Sequence, residues 1–82
     1  MASLTLYTRP DCSLCDAMRA TLLAIQAETP FRLEIIDISA DPELSARFGL
    51  EIPLLYINGQ RAFMYELSAT ELRRRLDQEH TP

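Results

Sequence analysis

The sequence predicts an α/β fold in the order β-α-β-α-β-β-α, a mixed four-stranded sheet with helices on both faces. Three observations carry that expectation. A period-2 stretch over about residues 3–8 gives way to helical spacing from Ser13 to Glu28 and then to a second strand from Phe31, which is a βαβ unit. Asn58-Gly59 separates two further strand candidates and favours a two-residue hairpin turn. The chain has 82 residues, enough for one hydrophobic core, so a single domain is expected over 1–82.

Leu4, Leu6 and Thr8 alternate with Thr5, Tyr7 and Arg9, and strand-forming types dominate. Arg9-Pro10-Asp11 ends this strand, because Pro10 has no N–H to donate and holds Arg9 extended. Leu14, Met18, Leu22 and Ile25 then recur three and four apart and share one helix face. Alanines at 17, 20, 24 and 27 supply helix formers between them, and Pro30 stops the helix. Phe31 to Ile38 reads as the second strand. Its Ile35-Ile36 pair breaks the alternation, as in a strand covered on both faces. Asp41-Pro42-Glu43 opens a short helix, with Asp41 as its cap, Pro42 at its first position and Gly49 at its C-terminal end.

Leu54 to Ile57 and Arg61 to Tyr65 are the third and fourth strands, antiparallel through the Asn58-Gly59 turn. Ser68-Ala69-Thr70-Glu71 is a capping box, and Leu72 and Leu76 mark the apolar stripe of a last helix. His80 near the end of that helix suits its dipole, and Thr81-Pro82 reads as a frayed end. The βαβ unit requires parallel strands and a right-handed crossover.

The apolar share of 48% and charged share of 24% are those of an ordinary globular chain. A net charge of −4 argues against nucleic acid as a partner, since phosphate binding needs a basic surface. All eight basic residues are arginine, which reads as compositional bias. No apolar run approaches the ~18 residues of a membrane helix, so no membrane partner is expected. Met1-Ala2-Ser3-Leu4-Thr5 lacks the basic start of a secretory signal, and a cytoplasmic location is expected.

The two cysteines, Cys12 and Cys15, follow the first strand and open the first helix. Three apart in that turn, their sulfurs fall on one side, at a spacing a disulfide accepts. The helix start offers free N–H groups and a partial positive charge, and both favour a thiolate, the nucleophile of disulfide exchange. Cys12, nearer the loop, is assigned as the attacking thiol, and Cys15, beside Leu14 and Met18, as the resolving thiol. Arg9 favours the thiolate, whereas Asp11 and Asp16 oppose it. A structural pair of buried cysteines is the alternative. No metal is expected, because tetrahedral zinc wants four ligands and the chain has one His and no second cysteine pair.

Tyr7-Thr8-Arg9-Pro10-Asp11-Cys12-Ser13-Leu14-Cys15, together with Glu51-Ile52-Pro53-Leu54-Leu55, resembles the glutaredoxin branch of the thioredoxin superfamily. Within it the chain is similar to small bacterial glutaredoxin-like proteins, over nearly its whole length. The resemblance implies a thioredoxin-like fold of glutaredoxin type and a thiol–disulfide oxidoreductase that reduces protein or small disulfides. It implies that Pro53 is cis and packed opposite the cysteines, leaving the Ile52 backbone for an extended substrate to pair with. Arg9 matches a basic position of the family. Ser13 and Leu14 stand where the family carries the residues that tune the potential, so Arg9, Ser13, Leu14, Ile52 and Pro53 are the expected substrate-binding residues.

The stretch Phe63-Met64-Tyr65-Glu66-Leu67-Ser68 lacks the Gly-Gly pair with which the family holds glutathione. No cofactor is therefore expected. Glutathione stays a candidate reductant beside a thioredoxin-reductase-type protein, and the chain is expected to work as a monomer. The sequence also admits two other readings: a binding module that keeps the fold without turnover, and an iron–sulfur carrier formed by two chains around Cys12.

Overall fold

Leu4 and Leu6 are both almost fully buried, and their alternation sets the first strand, β1 (Ser3–Thr8), inside the sheet. The computed structural model describes residues 1–80, so Thr81-Pro82 and the side chain of His80 lie outside the described residues. After β1 come α1 (Ser13–Glu28), β2 (Arg32–Asp37), a 3-10 turn (Ile38–Ala40), α2 (Pro42–Phe48), β3 (Leu54–Ile57), β4 (Gln60–Met64) and α3 (Ala69–His80). The strand order is β2-β1-β3-β4. β1 runs parallel to β2, from Ser3 opposite Arg32 to Thr8 opposite Asp37, and antiparallel to β3.

The hairpin forms as its turn chemistry requires. Asn58 and Gly59 have φ of 51° and 80°, the pair of left-handed residues that matches the twist of the flanking strands. Asn58 also ties the turn to β1, because its Oδ1 accepts from Ser3 N–H at 2.9 Å and its N–H donates to the Ser3 carbonyl at 2.8 Å. β4 begins one residue earlier than expected. Its register shifts where Leu55 faces Phe63 and Tyr56 faces Arg61, which leaves Ala62 as an extra bulged residue.

Helices cover both faces. On one, Leu4, Leu6, Leu55 and Ile57 pack with Met18, Leu22 and Ile25 of α1 and Leu72 and Leu76 of α3. The other cluster joins Phe48 of α2 to Ile38, Ile52, Leu54 and Cys15. Tyr7 and Tyr56 lie against it, with the Tyr7 ring centroid 4.7 Å from Phe48 and 5.6 Å from Tyr56. Asp41 caps α2 by accepting from the N–H groups of Glu43 and Leu44, and Ser68 Oγ accepts from Glu71 N–H at 3.3 Å at the start of α3. A Cβ at Gly49 would lie 2.5 Å from the Ser45 carbonyl oxygen, so close approach, not a left-handed φ, is what calls for glycine there. Among the described residues, no helix is long and apolar enough to cross a membrane.

Three local expectations need correction. The buried stripe of α1 is Cys15, Met18, Leu22 and Ile25, while Leu14 is 46% exposed, because a helix starting at Ser13 turns its second residue away from the sheet. β2 stops at Asp37. The Asp37 carboxylate accepts from the N–H and hydroxyl of Ser39, which draws Ile38 into the 3-10 turn. β2 is also not covered on both faces. It is an edge strand, and Ile35 is 37% exposed.

Candidate functional site

β1 ends at Thr8, and Asp11, with φ 57°, redirects the chain into α1. This puts Cys12 at the N-cap, in an extended conformation, where an oxygen-bearing side chain usually sits. Its sulfur does the capping: Cys15 N–H donates to Cys12 Sγ at 3.2 Å. Cys12 and Cys15 form a disulfide, with Cα atoms 5.2 Å apart. The two differ in access. Cys12 is half-buried, whereas Cys15 is 1% exposed and packs among Ile38, Phe48, Ile52 and Leu54. A half-buried cysteine at a helix N-terminus, joined to a buried one a turn inside, is an arrangement suited to disulfide exchange.

The buried cluster brings the second motif to the first. Ile52 belongs to the cluster that holds Cys15 and that Cys12 packs against, and Pro53 is fully buried. The Ile52–Pro53 peptide is cis. Four contacts fix this loop. Glu51 N–H donates to the Phe48 carbonyl, and Tyr65 N–H to the Pro53 carbonyl, each at 2.8 Å. Tyr65 Oη donates to the Leu50 carbonyl at 2.7 Å. The Arg61 guanidinium grips both Glu51 carboxylate oxygens at 2.8 Å. Hydrogen bonding to Arg61 holds the Glu51 carboxyl below the usual range, and the same bond, helped by Tyr56, pushes the guanidinium up.

The remaining expected residues surround the pair. Arg9 is exposed and borders two shallow clefts, one shared with Cys15, Asp16 and Arg19, the other with Ser45, Arg47 and Leu50. Ser13 is exposed at the first turn of α1. Leu14 lines a third depression, of about 350 Å³, between α1 and the segment that follows β4. Sequence reasoning missed Tyr65 in that segment. The sequence pattern puts it in the fourth strand, yet it lies beyond β4 with φ 71° and is 45% exposed. It also missed the Glu51–Arg61 clamp. Among the described residues, no three His, Cys, Asp or Glu side chains are grouped to hold a metal ion.

Residues 3–77 match the family model of the glutaredoxin-like domain (DUF836). Among solved structures, the chain is similar to the structural-genomics target XcR50 from X. campestris. The two are 34% identical with a TM-score of 0.77, over 98% of this chain and 100% of that one. It is also similar to protein Ne2328 from Nitrosomonas europaea, at 26% identity and a TM-score of 0.75, over 90% of this chain and 89% of that one. Mitochondrial thioredoxin 3 from Saccharomyces cerevisiae shares 15% identity and a TM-score of 0.70, over 94% of this chain and 77% of that one. At that identity the likeness concerns the fold, which is thioredoxin-like. A thioredoxin-like fold that carries a bonded Cys-x-x-Cys pair at the start of its first helix supports a redox-type function.

Proposed function

The chain belongs to the glutaredoxin-like domain family (DUF836), and from that premise we propose that it is a thiol–disulfide oxidoreductase acting on protein or small-molecule disulfides. The observation that carries this reading is the contrast within one disulfide: a half-buried Cys12 capping α1 and a Cys15 that is 1% exposed.

The cycle starts from the reduced pair. Cys12 thiolate attacks one sulfur of the substrate disulfide, a Cys12–substrate bond forms, and the other substrate sulfur leaves as a thiolate that takes up a proton. The Cys15 N–H, aimed at Cys12 Sγ, favours negative charge on that sulfur before attack. Cys15, having lost its proton, then attacks Cys12 Sγ and expels the second substrate thiol. Two electrons and two protons have moved to the substrate, and the Cys12–Cys15 disulfide remains. A thiol reductant, glutathione or a reductase protein, returns the two electrons. In this reading Ile52 and Pro53 line the approach to Cys12, Arg9, Ser13 and Leu14 border it, and one chain suffices.

Replacing Cys15 with Ser tests the assignment. The variant is expected to accumulate a mixed disulfide on Cys12, seen by mass, and Cys12→Ser to lose disulfide reduction. Full activity in Cys12→Ser would refute the role given to Cys12. Binding of a partner with unchanged affinity in both variants would favour the non-catalytic reading.

A further inference from the structure

The two edges of the sheet differ. β4 carries the Ala62 bulge, and its Arg61 is held by Glu51, so that edge is irregular and partly occupied. β2 pairs with β1 residue by residue from Arg32 to Asp37, with neither bulge nor proline. Arg32 N–H donates to the Ala2 carbonyl at 2.9 Å, so the backbone groups of Arg32 face β1. Those of Leu33 and Ile35 alternate with it and face the open side of the sheet. A regular strand with unpaired backbone groups is a template for another strand. Its side chains say which strand fits. Leu33 packs against the first core cluster, and Ile35, 37% exposed, lines a cleft with Arg19 of α1. Arg32 and Glu34 stand exposed on the opposite face, and neither forms an ion pair among the described residues. Such a charged pair guards the edge against most strands. It is complementary to itself, however, when the strand is turned about a two-fold axis.

We infer that β2 is a self-association edge, through which two copies of this chain join antiparallel into one continuous sheet. The two-fold axis is normal to the sheet and passes between the two Leu33 residues, so each face of the sheet continues across the join. In this register Arg32 of each copy stands opposite Glu34 of the other, at the closer, non-hydrogen-bonded positions of the ladder. Leu33 meets Leu33, and Ile35 meets Phe31. The Phe31 carbonyl accepts from Gln26 Nε2 at 2.8 Å and keeps its second lone pair for the Ile35 N–H of the other copy. Neighbouring registers fit worse. An axis at Glu34 sets that carboxylate against its own copy, and an axis at Ile35 sets Leu33 against Asp37. Thr8 lies opposite Asp37, so antiparallel pairing carries the two cysteine pairs to opposite ends of the join and leaves both open. The inference is independent of the exchange activity proposed above.

Sedimentation equilibrium of the full chain over a range of concentrations tests it, and a reversible monomer–dimer equilibrium is expected. Arg32→Glu and Glu34→Arg should each raise the dissociation constant about tenfold or more, because like charges then replace both cross-strand pairs. An equimolar mixture of the two single variants should dimerise again, since each strand then meets the opposite charge. The double variant should return to within about threefold of the wild-type constant. Single chains at every concentration up to about 1 mM would overturn the inference. So would a dimer that neither single variant weakens, which would place the contact elsewhere. A loss in the single variants that neither the mixture nor the double variant restores would overturn the Arg32–Glu34 register.

Discussion

At the scale of single residues, Tyr65 shows how the site is held. Its hydroxyl spans 15 positions to reach the Leu50 carbonyl, and its backbone reaches Pro53. Tyr65→Phe keeps the ring and removes the 2.7 Å bond. The expected cost is about 0.5–1 kcal/mol, the lower part of the range for one hydrogen bond, because the bond is exposed. Urea denaturation measures it, and an unchanged midpoint would mean that water replaces the bond without loss. The cysteines and Ile52-Pro53 were legible in the sequence because spacing and a short motif mark them. Tyr65 and the Glu51–Arg61 clamp were not, since partners 10 and 15 residues apart leave no local periodicity. The apolar helix stripe takes in Leu14 because spacings of three and four admit both Leu14 and Cys15, and only the helix start decides between them.

At the scale of elements, α2 is a helix of seven residues that delivers Phe48 to the cluster around Cys15. So short a helix depends on its cap. Asp41→Ala removes the acceptor for two N–H groups and is expected to cost about 1 kcal/mol, read by urea denaturation. No loss would assign the holding of α2 to packing alone.

Ion pairs join other elements: Arg61 fastens β4 to Glu51, and Arg73 fastens α3 to Glu28 at the end of α1. Both carboxyls sit below their ordinary range, chiefly through hydrogen bonds from these arginines. A lowered folded-state value means that the stabilisation is complete above the ordinary carboxylate range and is lost as pH falls through it toward the lowered value. The urea midpoint is therefore expected to decline below about pH 5, and the decline to be shallower in Glu51→Gln. A variant whose curve runs parallel to the wild type would remove the clamp from the explanation. The element order and the hairpin were legible because period, caps and the Asn58-Gly59 turn agree. The edge position of β2 was not, because a broken alternation does not say how many faces a sheet covers, and strand order is settled only by long-range pairing.

At the scale of the whole molecule, the first side chain cluster is shared by β1, β3, α1 and α3. For 82 residues the total stability should be about 4–12 kcal/mol. Leu22 is fully buried in that cluster, and Leu22→Ala should cost about 2–5 kcal/mol, a large share of the total. Its urea midpoint should fall steeply, and a small fall would mean that neighbouring side chains collapse into the space. The second cluster contains Cys15 and Ile52 and continues to Cys12, so it carries both structure and chemistry.

In the proposed reaction the Cys12–Cys15 bond is made and broken in every cycle. Titration of the pair in glutathione redox buffers, read by thiol alkylation and mass, tests it most directly. Reversible interconversion is expected, with a midpoint within about −180 to −280 mV, the span of exchange proteins. A pair that never oxidises, or a disulfide that resists reduction below about −300 mV, would contradict it and give the cysteines a structural role.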